Sequence, residues 1–432
     1  MRLKIGGNKI MKSRKLTALL MTTALCATAL FGCGDDEKDT TTKAPSGNEP
    51  AVEDEEITAT IKVWSPSEDQ APDQGEWLQT MCEQFNTDHP KWTLTFEYET
   101  CSEGDAGQTV SQDPSAAADV YMFASDQLKT LVNAQGIAKL GGDVATYIQD
   151  TNDQALVDSV TYDGAIYGIP FTTNLWVMYY DKSVFSEEDV KSLDTMLTKG
   201  KVAFPIEDAW YVQSFFLASG CTFGPDDAPA INLGGENGAV ATKYMIDLVA
   251  NPNFTHTGNA AEAIGKLQDG EVNAAFSGSW DLDNAKKFLG DNFAIAAIPS
   301  IDVESGSGQL QAFASSKAIA VNPNTKNMEV SVALAKYLAS EEAQKSHYEL
   351  RGVVPCNTAL LEDPEVSNDP LFIAQNETFN NCSIIQPAYL TSDNYWTPAA
   401  DFAKAITSGA VTADNAQEKV DEFNTQMNDN LD

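Results

Sequence analysis

The chain has 432 residues, with 63 acidic against 27 basic side chains and a formal charge of −36 at neutral pH. A surface so acidic repels phosphate backbones and anionic headgroups, which argues against nucleic acid or a lipid surface as a partner of the folded part. The length is too great for one small core and suits two domains.

At the N-terminus, Lys12, Arg14 and Lys15 precede an apolar run, Leu16 to Leu30, too short to span a bilayer, and Leu30-Phe31-Gly32-Cys33 closes it. This arrangement resembles a bacterial lipoprotein signal. The resemblance implies that residues 1–32 are removed and that Cys33, the lipid attachment site, becomes the first mature residue; an ordinary secretory signal cut elsewhere is the alternative. Met11 would start a compact signal unaided. The first 32 residues hold six basic side chains and no acidic one, so their removal takes the charge to −42. Residues 33–56 are polar and acidic with almost no large apolar side chain, a composition that cannot offset the entropy of ordering and reads as a flexible tether.

From Ile57 the pattern changes. Ile57, Ala59, Ile61 and Val63 alternate with polar residues as in a strand, Trp77, Leu78, Met81, Cys82 and Phe85 recur at helical spacing, and Trp92, Leu94, Phe96 and Tyr98 alternate again. Strand, helix and strand within about forty residues point to parallel pairing through a crossover. Asp119 to Phe123 reads as a short strand, followed by a helix from Ser125 or Asp126 that stops at Gly136. Asp163-Gly164, between apolar runs, favours a type I′ hairpin turn. Pro170 then precedes the aromatic strand LWVMYYDK, and Ser186 to Asp189 reads as a helix cap. A helix from Gly238, a helix ending at Gly270, the strand VNAAF, the strand AIAVN and a helix carrying Val330, Leu334 and Leu338 continue the α/β alternation.

Beyond Cys33 the mature chain holds Cys82, Cys101, Cys221, Cys356 and Cys382, an odd number, so at least one is free or paired between chains. Buried thiols and one or two disulfides both remain open. No two of these cysteines have CxxC spacing, and His89, His256 and His347 are isolated, so no metal is expected.

Four segments in this order, IKVWSPSEDQ from Ile61, ADVYMFASDQLKTLVNAQGIAKL from Ala118, YDGAIYGIPFTTNLWVMYYDKSVF from Tyr162 and AIGKLQDGEVNAAFSGSWDL from Ala263, resemble the extracellular solute-binding proteins of carbohydrate ABC transporters, in their maltose/maltodextrin-binding branch. The resemblance implies a two-lobed α/β fold of the periplasmic-binding-protein type II class, with several chain crossings and a ligand cleft between the lobes. It implies a first lobe of 57–172 plus 317–372 and a second of 173–316 plus 373–432. Open α/β sheets bind ligands outside the carboxyl ends of their strands, which agrees in kind.

A neutral oligosaccharide presents C–H groups on its ring faces and hydroxyls at its rim, so its site needs planar aromatics beside carboxylate and amide acceptors. By the family pattern, Trp280 after VNAAF stacks on sugar, as does Trp396 or its neighbour Tyr395; Glu207, Asp208 and Trp210 form an acidic and aromatic loop. Glu68, Asp69 and Asp126 follow strands at positions matching ligand-bonding loops, while helix capping is the alternative for Asp126 and Asp208. Asn174 stands where the maltose-binding relative has a glutamate, which keeps hydroxyl bonding and drops the charge. Trp64 and Trp176 lie within apolar strand patterns and are read as core.

The expectation is a non-enzymatic, monomeric binding protein without cofactor, held by lipid on the outer face of a cell membrane, in a Gram-positive type of envelope. It captures an oligosaccharide, maltodextrin first, for a membrane permease. The same fold with another oligosaccharide or small solute, or a surface glycoside hydrolase, are the competing readings. Abundant acidic residues make candidate catalytic pairs uninformative, and phosphate sugars are disfavoured because the cleft loops hold no Arg or Lys cluster.

Overall fold

The computed structural model describes residues 56–226, 228–304 and 306–431. The expected lipid site Cys33, the signal 1–32 and nearly all of the tether lie outside the described residues.

The strands that organise the fold are, in chain order, β1 (Ile57–Ser65), β2 (Trp92–Thr100), β3 (Val120–Ala124), β4 (Gly168–Asn174), β5 (Trp176–Asp181), β6 (Val202–Phe204), β7 (Phe254–His256), β8 (Ala274–Gly278), β9 (Phe293–Ala296), β10 (Ala312–Val321) and β11 (Ser383–Ile385). They form two sheets. In the first the order is β11-β10-β3-β1-β2, with β4 also on β10; β1 runs parallel to β2 and β3, and β10 lies antiparallel to β3 and β4. In the second the order is β7-β6-β8-β5-β9, parallel at β7-β6-β8 and antiparallel on either side of β5. The two sheets and their helices make two lobes.

The β1–helix–β2 unit follows the period-two and helical patterns of its residues. Helix Trp77–Asp88 buries Trp77, Leu78, Met81, Cys82 and Phe85, and its indole Nε1 at Trp77 donates to the carbonyl of Ala343 at 3.1 Å. Losing a large aromatic from such a core costs about 3–5 kcal/mol. Asp163 and Gly164 take φ of 49° and 70°, as a type I′ turn requires. Two helices differ from expectation. After β3 the chain makes one tight turn, Ser125–Gln127, and a short helix, Leu128–Asn133, with Gln135 rather than Gly136 in the left-handed region. Ser186 and Asp189 bond each other's backbone but enclose a single turn; the helix proper, Leu193–Leu197, is capped by Ser192.

Two cores flank the chain crossings. One gathers Trp77, Phe85, Tyr121 and Phe123 under the first sheet, the other Trp176, Phe204, Phe215 and Phe276 under the second, and Trp64 is buried as expected. Strand β10 serves both: Ala312 and Phe313 pack in the second core, Ala318 to Val321 in the first. One residue, Leu175, separates β4 from β5, so the chain passes directly from one sheet to the other. A third cluster, with Val177, Tyr179, Ala203 and Ala275, packs on the opposite face of the second sheet and reaches Leu175, Val354 and Leu371 near the crossings, where Thr172 Oγ1 donates to the carbonyl of Val354 at 2.7 Å. All five cysteines among the described residues are buried free thiols, which decides between the two options left open by their count.

Candidate ligand-binding cleft

Loops at the carboxyl ends of β2, β3, β6, β7 and β8 converge on a cleft of about 580 Å³. That size lies within the range of about 300–1,000 Å³ usual for ligand pockets. The first sheet contributes Glu103, Gly104, Asp126, Gln127 and, from β10, Lys317; Asn174 sits where β4 ends. Facing them are Asp208, Trp210, Tyr211, Asn259 and Trp280 from the second sheet's loops, with Trp396 completing the wall.

Trp280 is held by the turn that follows β8. Asp281 Oδ2 accepts from Ser277 Oγ at 2.6 Å, and the carbonyl of Gly278 accepts from Tyr179 OH at 2.7 Å. The indole folds back over Gly278, where a Cβ would lie 2.1 Å from its ring; only glycine leaves room for this orientation. Trp280 is 49% exposed, a large apolar side chain open to solvent inside a concave site. Trp210 stands beside it, ring centroids 6.3 Å apart and planes at 31°, and its Nε1 donates to Gln386 Oε1 at 3.1 Å. Trp396 packs edge-on against Phe313 at 6.1 Å.

The acceptors are fixed with equal economy. Asp208 caps helix Ala209–Ala218, one oxygen accepting from the backbone N–H of Trp210 at 2.8 Å, which leaves the other carboxylate oxygen for a different donor. Asp208 thus caps the helix and also lines the cleft. Asp126 accepts from Gln127 Nε2 at 2.8 Å, and Gln127 fits because Gly107 beside it has no Cβ. Burial pushes both carboxyls, Asp126 and Asp208, above the ordinary range. Asn174 Nδ2 donates to Ser315 Oγ at 3.2 Å. Lys317 pairs with Glu103 at 3.2 Å.

Six expected residues, Asp126, Asn174, Asp208, Trp210, Trp280 and Trp396, therefore share one cleft. Four others are placed elsewhere. The tight turn Ser67–Asp69 leaves Glu68 exposed, bonded to Ser67, and turns Asp69 into the interior, where His347 Nε2 lies 2.8 Å and Arg351 Nε 3.2 Å from its Oδ1. Burial alone would raise the Asp69 pKa; the charges and hydrogen bonds of His347 and Arg351 prevail and hold it below the usual range. Glu207 accepts from Thr407 Oγ1 at 2.8 Å and lies 3.1 Å from His256 Nδ1, tying a helix end to β7 beside the cleft. Tyr395 is fully buried, its hydroxyl donating to the carbonyl of Ala209 at 2.9 Å, so of the adjacent aromatics Trp396 is the one that reaches the cleft. Sequence reasoning missed Glu103, Gln127, Tyr211, Asn259 and Lys317. Lys317 carried a readable signal, a lone charge inside the apolar run of β10.

The model of the family described as bacterial extracellular solute-binding protein matches residues 80–374. The chain belongs to this family. A galactooligosaccharide-binding protein of Bacillus subtilis is 23% identical over 92% of this chain and 94% of its own length. A maltooligosaccharide ABC transporter solute-binding lipoprotein of Streptococcus pneumoniae is 25% identical over 65% of this chain and 71% of its own. A solved structure containing acarbose is 48% identical with a TM-score of 0.84, covering 87% of this chain and 100% of that one, and the ligand-free maltodextrin-binding protein of L. casei BL23 is 25% identical with a TM-score of 0.78 over 86% and 99%. The two-lobed arrangement is thus that of the type II binding-protein fold.

Proposed function

We propose that this family member captures an oligosaccharide, a malto-oligosaccharide first, in the cleft between its lobes and delivers it to an ABC permease. The observation that carries this reading is the set of three tryptophans, Trp210, Trp280 and Trp396, around the acceptors Asp126, Asn174 and Asp208 in a single cleft. Indole faces take sugar ring faces, and fixed carboxylates accept from hydroxyls. Relatives named for maltooligosaccharide and the 48% identical structure holding acarbose favour α-glucan ligands. The galactooligosaccharide-binding relative, which aligns over nearly the whole chain, supports that ligand class as the second reading.

The lobes are proposed to be 57–172 plus 317–372 and 173–316 plus 373–432, with closure by hinge bending at the crossings near Leu175, Lys317 and Leu371. Ligand favours the closed state by contacts made to both lobes at once. An affinity near 1 μM needs about −8 kcal/mol, which two or three stacked rings and several charge-assisted bonds supply. The chain works as a monomer without catalysis, anchored through lipid on Cys33 at the outer face of the membrane; the pneumococcal relative is itself named a lipoprotein.

Isothermal titration with maltotriose, acarbose and galacto-oligosaccharides tests the ligand class. Saturable heat with one of these glycans is expected, and no heat with any glycan alongside clear binding of an amino acid would overturn the proposal. Prolonged incubation with maltodextrin should release no reducing ends.

A further inference from the structure

Strand β10 is ten residues long, and nine of them are buried; the exception is Lys317 in its middle. The ammonium pairs with Glu103 at 3.2 Å, with only 20% and 11% of the two side chains exposed. An ion pair so withdrawn from water gains little over apolar residues of the same volume, because desolvating two charges offsets their attraction. Fold stability therefore gives no reason for a charge at this position.

Its surroundings do. Lys317 lies in the first sheet and Glu103 in the loop after its strand β2, whereas the Lys317 Nζ lies 5.5 Å from the ring centroid of Trp280, in the turn after strand β8 of the second. All three line the cleft, and Lys317 is the one basic side chain among the described residues lining it. A donor and an acceptor are thus held side by side, with the donor over the indole ring.

Resting on the oligosaccharide reading above, we propose that Lys317 and Glu103 are specificity-determining residues. They form a donor–acceptor clamp that reads two neighbouring hydroxyls of a sugar ring bound beside Trp280. Vicinal hydroxyls each donate and accept, so one gives its proton to the Glu103 carboxylate while the other accepts from the Lys317 ammonium. In a 1,4-linked glucan the hydroxyls at positions 2 and 3 are free on every ring and are the one neighbouring free pair of an internal ring, and these are the pair the clamp reads. A site built to bond hydroxyls rejects an analogue lacking one, because its charged groups are then left unpaired within the closed cleft.

Calorimetry on the full chain tests this with maltotriose and its analogue lacking the 2-hydroxyls, using Lys317→Met, Glu103→Gln and the double variant. The wild type should bind the deoxy analogue about tenfold or more weakly than maltotriose. Each single variant should bind maltotriose about tenfold more weakly than the wild type, and the double variant no more weakly than the worse single one, as expected of residues acting as a unit. Discrimination against the deoxy analogue should largely vanish in the double variant, an effect that a merely structural ion pair would not produce. Variants that bind within twofold of wild type, bind more tightly, or keep full discrimination overturn the clamp and leave the oligosaccharide reading intact; a wild type that binds no glycan defeats both. Thermal melting of each variant checks folding, and the isosteric Glu103→Gln carries the test alone if Lys317→Met does not fold.

Discussion

Replacing Trp280 by Ala separates binding from folding, because the side chain is 49% exposed and contributes to the cleft rather than to a core. A tryptophan side chain offers roughly 250 Å², so about 120 Å² is free to be covered by ligand. At about 25 cal/mol per Å² that area corresponds to roughly 3 kcal/mol, or about a hundredfold in Kd if the whole face is covered. A sugar ring covers one face and leaves the rim wet, which places the expected loss between about tenfold and a hundredfold. The assay is isothermal titration with maltotriose, paired with thermal melting of the unliganded protein. Affinity should fall while the melting temperature stays within about 2 °C, since surface substitutions of this kind change stability by about 0.5 kcal/mol or less. A variant that keeps its affinity within threefold, or that loses affinity only because it melts early, would refute the stacking role.

Gly278→Ala should act two residues along the chain: the new methyl has no room beside the Trp280 ring, so the indole must turn, and glycan affinity should drop with a changed tryptophan emission spectrum. Asp69→Asn leaves His347 and Arg351 facing a neutral group in the interior and should destabilise the first lobe by about 3–5 kcal/mol in urea titration, with glycan affinity per folded molecule unchanged. The pH dependence has two opposite signs. Asp69 has a lowered folded-state pKa, so its stabilisation is present above the ordinary value of 3.8 and is lost as pH falls through the folded one. Asp126 and Asp208 have raised pKa values, so their burial opposes folding once pH rises through those values; glycan affinity, which uses their ionised forms, should weaken on acidification while the fold is still intact, as calorimetry across a pH series will show. The five buried thiols should react with a thiol reagent only after denaturation, and reductant should not shift melting of the native protein. Cys33→Ala should release the protein from the cell surface without altering glycan affinity, measured by fractionation and titration.

Local pattern was enough wherever one face of an element decides its burial. The alternation of Ile57 to Val63, the helical stripe of Trp77 to Phe85 and the Asp163-Gly164 turn each state their geometry within a few residues. The cleft tryptophans were legible through the family pattern, at Trp280 after β8, Trp210 in the first turn of helix Ala209–Ala218 and Trp396 just before helix Thr397–Thr407. The same reasoning failed for Glu68, Asp69, Glu207 and Tyr395. A one-residue difference in a tight turn decides which of Glu68 and Asp69 faces solvent, and that turn is held by helix Glu341–Arg351, almost three hundred residues away. Tyr395 and Trp396 are adjacent in an irregular turn whose register is set by the Ala209 carbonyl across the lobe.

By itself the sequence determined the α/β class, the strand-to-loop positions of the candidate cleft residues through the family pattern, and an acidity that argues against anionic partners. Only the tertiary structure decided which acidic side chains reach the cleft and which are spent inside, and it alone brought Lys317 and Glu103 to Trp280. Periodicity reports burial along one segment, whereas a hydrogen-bond or ion-pair partner is chosen by where distant segments meet, and that depends on the chain crossings between the two sheets.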